Sequence, residues 1–205
     1  MTGTLFKKHI VDGLNNNKIY TDKPIEELNI GPNSINVTLG KNLKTYTPVK
    51  IRKTFFGFGK DLIVVKKFSF KNLFFFLDMK KDNKVYEFEI PNEGLILSKN
   101  IFYLGYTNEK MGSDFYIPMY EGRSSTARLG ISSHLSAGFG DVGFKSQWTL
   151  EIAIQENTKF YPNVDIGQVY FVSGSEEIPS FKYEGKYVSQ SGAQESKMFK
   201  DKIFN

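Results

Sequence analysis

Between Gln147 and Ile154 the chain alternates without a break. Trp148, Leu150, Ile152 and Ile154 fall on one face of an extended segment, and Gln147, Thr149 and Glu151 on the other. On a helix the same apolar residues would scatter around the axis, so the pattern commits this stretch to a strand with one buried face. Ser34 to Leu39 repeats it, with Ile35, Val37 and Leu39 on one side. Much of the remaining chain is rich in β-branched and aromatic residues cut by Gly, Asn and Pro, which predicts short antiparallel strands and little helix. Thr4 to Leu14 is the exception: Phe6, Ile10 and Leu14 recur at helical spacing, and Asn15-Asn16-Asn17 ends the helix. The expected class is therefore all-β, mainly strand with a short N-terminal helix.

Composition narrows the function classes. The 205 residues suit one domain with a proper core. There is no cysteine, which points to a reducing compartment. The two histidines, His9 and His134, are too few and too far apart for the His/Cys zinc set used by the better known base deaminases. A net charge of +5 suits a polyanionic partner such as a nucleoside triphosphate, although a lysine-rich solvated surface explains it equally well. Nucleic acid is not the expected partner. The start of the chain lacks the apolar region of a secretory signal, and the most apolar run, residues 68–77, is too short and too interrupted to span a membrane. A soluble cytoplasmic protein is expected.

Three small constellations carry chemical potential. Glu151 lies opposite the apolar stripe, a position that alone reads as solvent-facing. Ser124 and Arg128 are four apart and share one face of a helical turn, whose hydroxyls and amides suit an anion. Taken alone, Gly122-Arg123-Ser124-Ser125 is an ordinary capped turn. Asp141 stands between glycines, where a carboxylate usually shapes a bend.

Together these segments resemble one signature. Gly122-Arg123-Ser124-Ser125-Thr126-Ala127-Arg128-Leu129-Gly130, followed by Ser136-Ala137-Gly138-Phe139-Gly140-Asp141-Val142-Gly143-Phe144 and a strand ending in Leu150-Glu151, is similar to the motif of the dCTP deaminases, a branch of the trimeric dUTPase superfamily. Asn33 to Gly40, Ile166-Gly167-Gln168 and the tail segment Tyr183 to Gln190 extend the resemblance. It implies a distorted β-barrel or jelly-roll-like fold, a homotrimer with active sites between subunits, and zinc-independent hydrolysis of dCTP to dUTP and ammonia. It also implies roles. Glu151 would be the acid/base, Ser124 and Arg128 would assist water activation and polarise the base, and the Ala137 carbonyl would orient the water. Asp141 would serve an onward step to dUMP and pyrophosphate. Arg123, Ser125, Gln168, Tyr183, Lys186 and Gln190 would bind substrate and phosphates, with Mg²⁺ carried by the triphosphate and dTTP a candidate inhibitor. His134 reads as structural.

The departures are specific. Gly140 replaces the usual Ile and predicts a looser loop around Asp141. Gln147-Trp148 replaces a smaller pair, and Gly138 stands where single-function bacterial deaminases more often have His. Residues 47–85 are a basic, aromatic insertion, read first as amphipathic strands whose phenylalanines pack in a core or an oligomer contact, although the same pattern can stack bases. Residues 173–205 read as a C-terminal lid. Two alternatives stand beside the deaminase: a dUTPase-type pyrophosphohydrolase and a non-catalytic nucleotide-binding protein.

Overall fold

The alternating segment becomes the long strand on which the rest of the molecule is hung. The computed structural model describes residues 3–53, 60–64, 76–175 and 181–204. The first half contains β1 (Gly3–Thr4), α1 (Lys7–Asn15), β2 (Ile19–Thr21), β3 (Ile35–Thr38), β4 (Asn42–Thr45), β5 (Val49–Lys53), β6 (Lys60–Val64), β7 (Tyr86–Glu89) and β8 (Leu95–Leu97). The second contains β9 (Tyr103–Ser113), β10 (Tyr116–Gly122), α2 (Ser124–Ala127), β11 (Ile131–Ser132), β12 (Lys145–Ile154), β13 (Thr158–Phe160) and β14 (Asp165–Ser173).

These strands form three sheets. In the first, β14 is central, with β10 on one edge and β1 and β3 on the other, all antiparallel. The second runs β11-β12-β9-β4-β7, with β2 added to β9. The third runs β13-β8-β6-β5 and includes a parallel pairing of β6 with β8. The mainly β expectation holds, but the sheets are open and no barrel closes among the described residues. Trp148, Leu150, Ile152 and Ile154 all enter the core, alongside Ile35, Val37, Leu39, Val169 and Phe171. The ladder between β12 and β9 slips at Gln147/Thr149. There Trp148 N–H donates to the Thr107 hydroxyl (3.0 Å), so the bulge leaves no buried donor unpaired.

The N-terminal helix forms, with Ile10 and Leu14 buried, and ends at Asn16, followed by Asn17 in the left-handed region (φ 55°). Phe6 does not join its apolar face. Leu5 N–H is tied to Phe171 O and Lys7 N–H to Pro32 O, which holds the chain extended through Phe6, the N-cap (φ −86°, ψ 164°). Leu5 takes the core position instead, and Phe6 is 66 % exposed. In the 47–85 segment β5 and β6 form an antiparallel pair from Val49↔Val64 to Lys53↔Lys60. The expected packing of its phenylalanines concerns mainly residues 54–59 and 65–75, which lie outside the described residues, while Phe76 is exposed.

Candidate active site

Alternation turns Gln147, Thr149 and Glu151 away from the core side of β12, and the loop after β11 folds back across them. Glu151 N–H donates to Ser133 O (3.1 Å), which docks the loop on the strand. The loop returns the contact: Leu135 N–H and Ser136 N–H donate to Glu151 Oε2 (3.0 and 3.3 Å). Two backbone amides thus orient the carboxylate without occupying Oε1. Glu151 faces a cleft of about 470 Å³ whose walls include Ala137, Asp141, Phe144, Trp148 and Thr149. Tyr183, Tyr187 and Gln190 from the C-terminal tail form its outer side.

The Asp141 loop is not loosened by its glycine. A Cβ on Gly140 would lie 2.4 Å from Trp148 Cη2 and 2.7 Å from Pro118 O, so the indole occupies the space a side chain would need. Gly140 N–H donates to Pro118 O (2.9 Å), and Tyr120 N–H to Gly138 O (2.7 Å), which knits the loop to β10. Trp148 is fixed in turn by Tyr120, stacked at 6.1 Å, and by Phe144, edge-on at 5.3 Å. Gly140 and Trp148 are therefore matched in volume: the large side chain fits because the small one leaves it room.

The remaining candidates lie apart from this cleft. Ser124, Ser125 and Arg128 form the expected helical turn, with Arg128 N–H donating to Ser124 O (3.0 Å), and all three are exposed. Arg123 is ion-paired with Asp165. Gln168 accepts from the Ser34 hydroxyl (2.7 Å) and donates to Gly122 O (3.2 Å). Glu151, Ala137, Asp141, Tyr183 and Gln190 are thus brought together, whereas Arg123, Ser124, Ser125, Arg128 and Gln168 form a second group. Lys186 stands with the tail, ion-paired to Asp201, which holds its ammonium above its ordinary pKa.

Reasoning from sequence passed over several residues of the cleft. Thr149 shares the face of Glu151, so the alternation could have nominated it. Tyr46 from the β4 side and Glu195 from the tail carry no local signal; topology brings them in. Lys44 holds Glu195 at 2.8 Å and depresses the pKa of that carboxyl. His134 is hydrogen-bonded to Glu121 (3.1 Å) and packs edge-on against Tyr120, a structural setting; its bond lowers the Glu121 pKa.

The family model of "dCTP deaminase-like" proteins matches residues 4–174. The chain belongs to that family. One curated member of similar sequence is the "dCTP deaminase, dUMP-forming" of Clostridium beijerinckii, 38% identical over 196 residues, or 95% of each chain. Its counterpart of the same name in Clostridium acetobutylicum is 39% identical over 199 residues, or 96% of each. A crystal structure of the 2'-deoxycytidine 5'-triphosphate deaminase from Agrobacterium tumefaciens shares the fold, with a TM-score of 0.55 at 16% identity over 84% of this chain. The match spans about half of that longer chain (48%). Among the described residues of this dCTP deaminase-like chain, no helix is long and apolar enough to cross a membrane.

Proposed function

We propose that the protein hydrolyses dCTP to dUTP and ammonia without zinc and carries the product on to dUMP and pyrophosphate. The observation that carries this is Glu151, oriented by two loop amides at the wall of a cleft that also holds Ala137 and Asp141. Relatives bearing the dUMP-forming name match along nearly the whole chain. In this reading Glu151 takes a proton from a water positioned by the Ala137 carbonyl, and the water oxygen bonds to C4 of the base. As the bond forms, the C4=N3 π pair moves onto N3. The carboxyl then returns the proton to N4, the N3 pair re-forms the double bond as the C4–N4 bond breaks, and ammonia leaves. The hydroxyl proton on C4 shifts to N3 to give the uracil ring. Asp141 serves a second water directed between the α and β phosphates, which yields dUMP and pyrophosphate.

The second group completes the site from a neighbouring protomer of a homotrimer. Ser124 and Arg128 are exposed and do not line their own chain's cleft, the arrangement expected of residues that reach across an interface. There they assist the water and polarise the base, while Arg123, Ser125 and Gln168 meet the phosphates. Tyr183, Lys186 and Gln190 close from the tail, with a phosphate replacing Asp201 on Lys186. Mg²⁺ arrives with the triphosphate, whose charge it screens. dTTP competes for the same cleft, and the cytoplasm is the proposed setting.

The test is to incubate the protein with dCTP and Mg²⁺ and follow ammonia and pyrophosphate together. Equal yields support the full sequence, and ammonia alone restricts it to deamination. Pyrophosphate from dUTP with no ammonia from dCTP replaces it with a phosphohydrolase, and neither product sinks it.

A further inference from the structure

The tail beyond Ser173 forms no ladder over its described residues 181–197, so its backbone donors must find partners elsewhere. Side chains supply many of them. Gly192 N–H donates to Gln147 Oε1 (2.7 Å), Gln194 N–H to Thr149 Oγ1 (3.2 Å), Ser196 N–H to the Tyr46 hydroxyl (3.1 Å) and Lys197 N–H to the Tyr187 hydroxyl (3.0 Å). Gln147 does the most. Its Oε1 also lies 3.4 Å from the Ser191 hydroxyl, and its backbone carbonyl accepts from Gln190 Nε2 at 2.6 Å.

The orientation of the Gln147 amide is determined. Its Nε2 donates to Asn108 O (3.2 Å) on β9, a carbonyl within reach because the β12 ladder slips at this residue. A flipped amide would set NH₂ against the Gly192 N–H and an oxygen against the Asn108 carbonyl, losing both bonds. Gly192 meets it in a left-handed turn (φ 68°) that favours glycine. Gln147 and Glu151 lie on one face of one strand, four residues or about 13 Å apart. The strand that carries the carboxylate thus also fixes the position of the tail opposite it.

We infer that Gln147 is a positioning residue for nucleotide binding: its amide fastens the 190–192 turn to β12 and so holds Tyr183, Tyr187 and Gln190 as the outer wall of the Glu151 cleft. The inference rests on the proposed dCTP chemistry for its effect on turnover, but not for the fastening itself. Gln147 touches none of the reacting atoms, so its loss acts on substrate affinity more than on the chemical step.

Two variants separate fastening from mere packing. Gln147→Met keeps length and volume but offers only a weakly accepting sulfur, whereas Gln147→Glu keeps the acceptor oxygens facing Gly192 and Ser191 and gives up only the donation to Asn108 O. Hydrogen exchange over residues 190–196 is expected to accelerate about tenfold in Gln147→Met and to stay within about twofold of the wild type in Gln147→Glu, the loss of more than one hydrogen bond being worth that factor. KM for dCTP should rise about tenfold in the Met variant while kcat falls less than about threefold. Unchanged exchange in Gln147→Met, equal exchange in the two variants, or a fall in kcat at constant KM each overturns the inference. Should Gln147→Met fold poorly, Gln147→Leu, shorter and unable to accept from Gly192, must raise the same exchange. A wild type that releases no ammonia from dCTP would sink the proposed function, and the exchange measurement would still decide the role of Gln147.

Discussion

The cleft around Glu151 and the turn at Ser124–Arg128 come from one continuous sequence motif, yet the fold treats them oppositely. The cleft is built inward. Its carboxylate is bonded to loop amides, its floor is the Trp148 indole, and its outer wall is tied down by side chains of β12. The turn is built outward, with Ser124, Ser125 and Arg128 exposed and its flanking Arg123 held by Asp165. The difference teaches that one protomer encloses the carboxylate end of the motif and leaves its hydroxyl and guanidinium end open to solvent. Under the proposed assembly a neighbouring protomer's turn completes the cleft, which couples the proposed chemistry to assembly.

The sharpest way to break this comparison is at Glu151. Glu151→Gln should lower kcat for ammonia release about a thousandfold, within the range of a lost acid/base group, while nucleotide binding survives. Normal deamination would remove the cleft from the reaction. Next comes complementation. Arg128→Ala and Glu151→Gln should each be nearly inactive alone, yet co-assembled from equal amounts they should recover about a quarter of wild-type activity, because one intact cleft meets one intact turn at that frequency. No recovery would mean that each turn serves its own chain.

A smaller effect probes the cleft's floor. Gly140→Ile should cost about 2 kcal/mol in urea unfolding through overpacking against Trp148, and adding Trp148→Val should return part of that cost. Strict additivity of the two changes would refute the match in volume. Smallest is the response to pH. Glu195 lies below its ordinary 4.5, held there by Lys44. Burial raises the Asp114 carboxyl, but hydrogen bonds from Lys145 and Lys182 outweigh it and hold the group below 3.8. Depressed acids stabilise above their unfolded values and lose that contribution as pH falls through the folded ones. The tail's docking should therefore weaken between about pH 5 and pH 3, by less than about 1 kcal/mol for such part-exposed pairs. The single tryptophan, Trp148, would report it as a red shift in emission before circular dichroism changes. Lys186 runs the other way: its raised pKa keeps the pairing with Asp201 intact below 10.5, and it is lost only as pH climbs through the higher folded value.

Much of this architecture was legible in the sequence because alternation is a local code. Ile35, Val37, Trp148, Leu150, Ile152 and Ile154 are buried where period-two spacing places them, and Ser124 to Arg128 takes the helical turn its spacing allows. Pairing across the chain is not local. Nothing near Phe6 announces that Phe171 will claim the backbone beside it and send Leu5 inward. Nothing near Arg123 points to Asp165, and nothing near Glu195 points to Lys44. The Gly140 reading failed for the same reason: a glycine predicts looseness only until a neighbour from another segment fills its space. The trimer and the roles of Ser124 and Arg128 came from resemblance alone.

The placement of β14 bears on how such a chain is made. Among the described residues β14 is the strand latest in the chain, yet it is the middle of its sheet, and β1, β3 and β10 all hydrogen-bond to it. Until that segment has been made, these three lack their partner in the sheet. Closure of that sheet therefore waits for Asp165–Ser173, and a product cut short before Asp165 presents unpaired strand edges to chaperones and proteases.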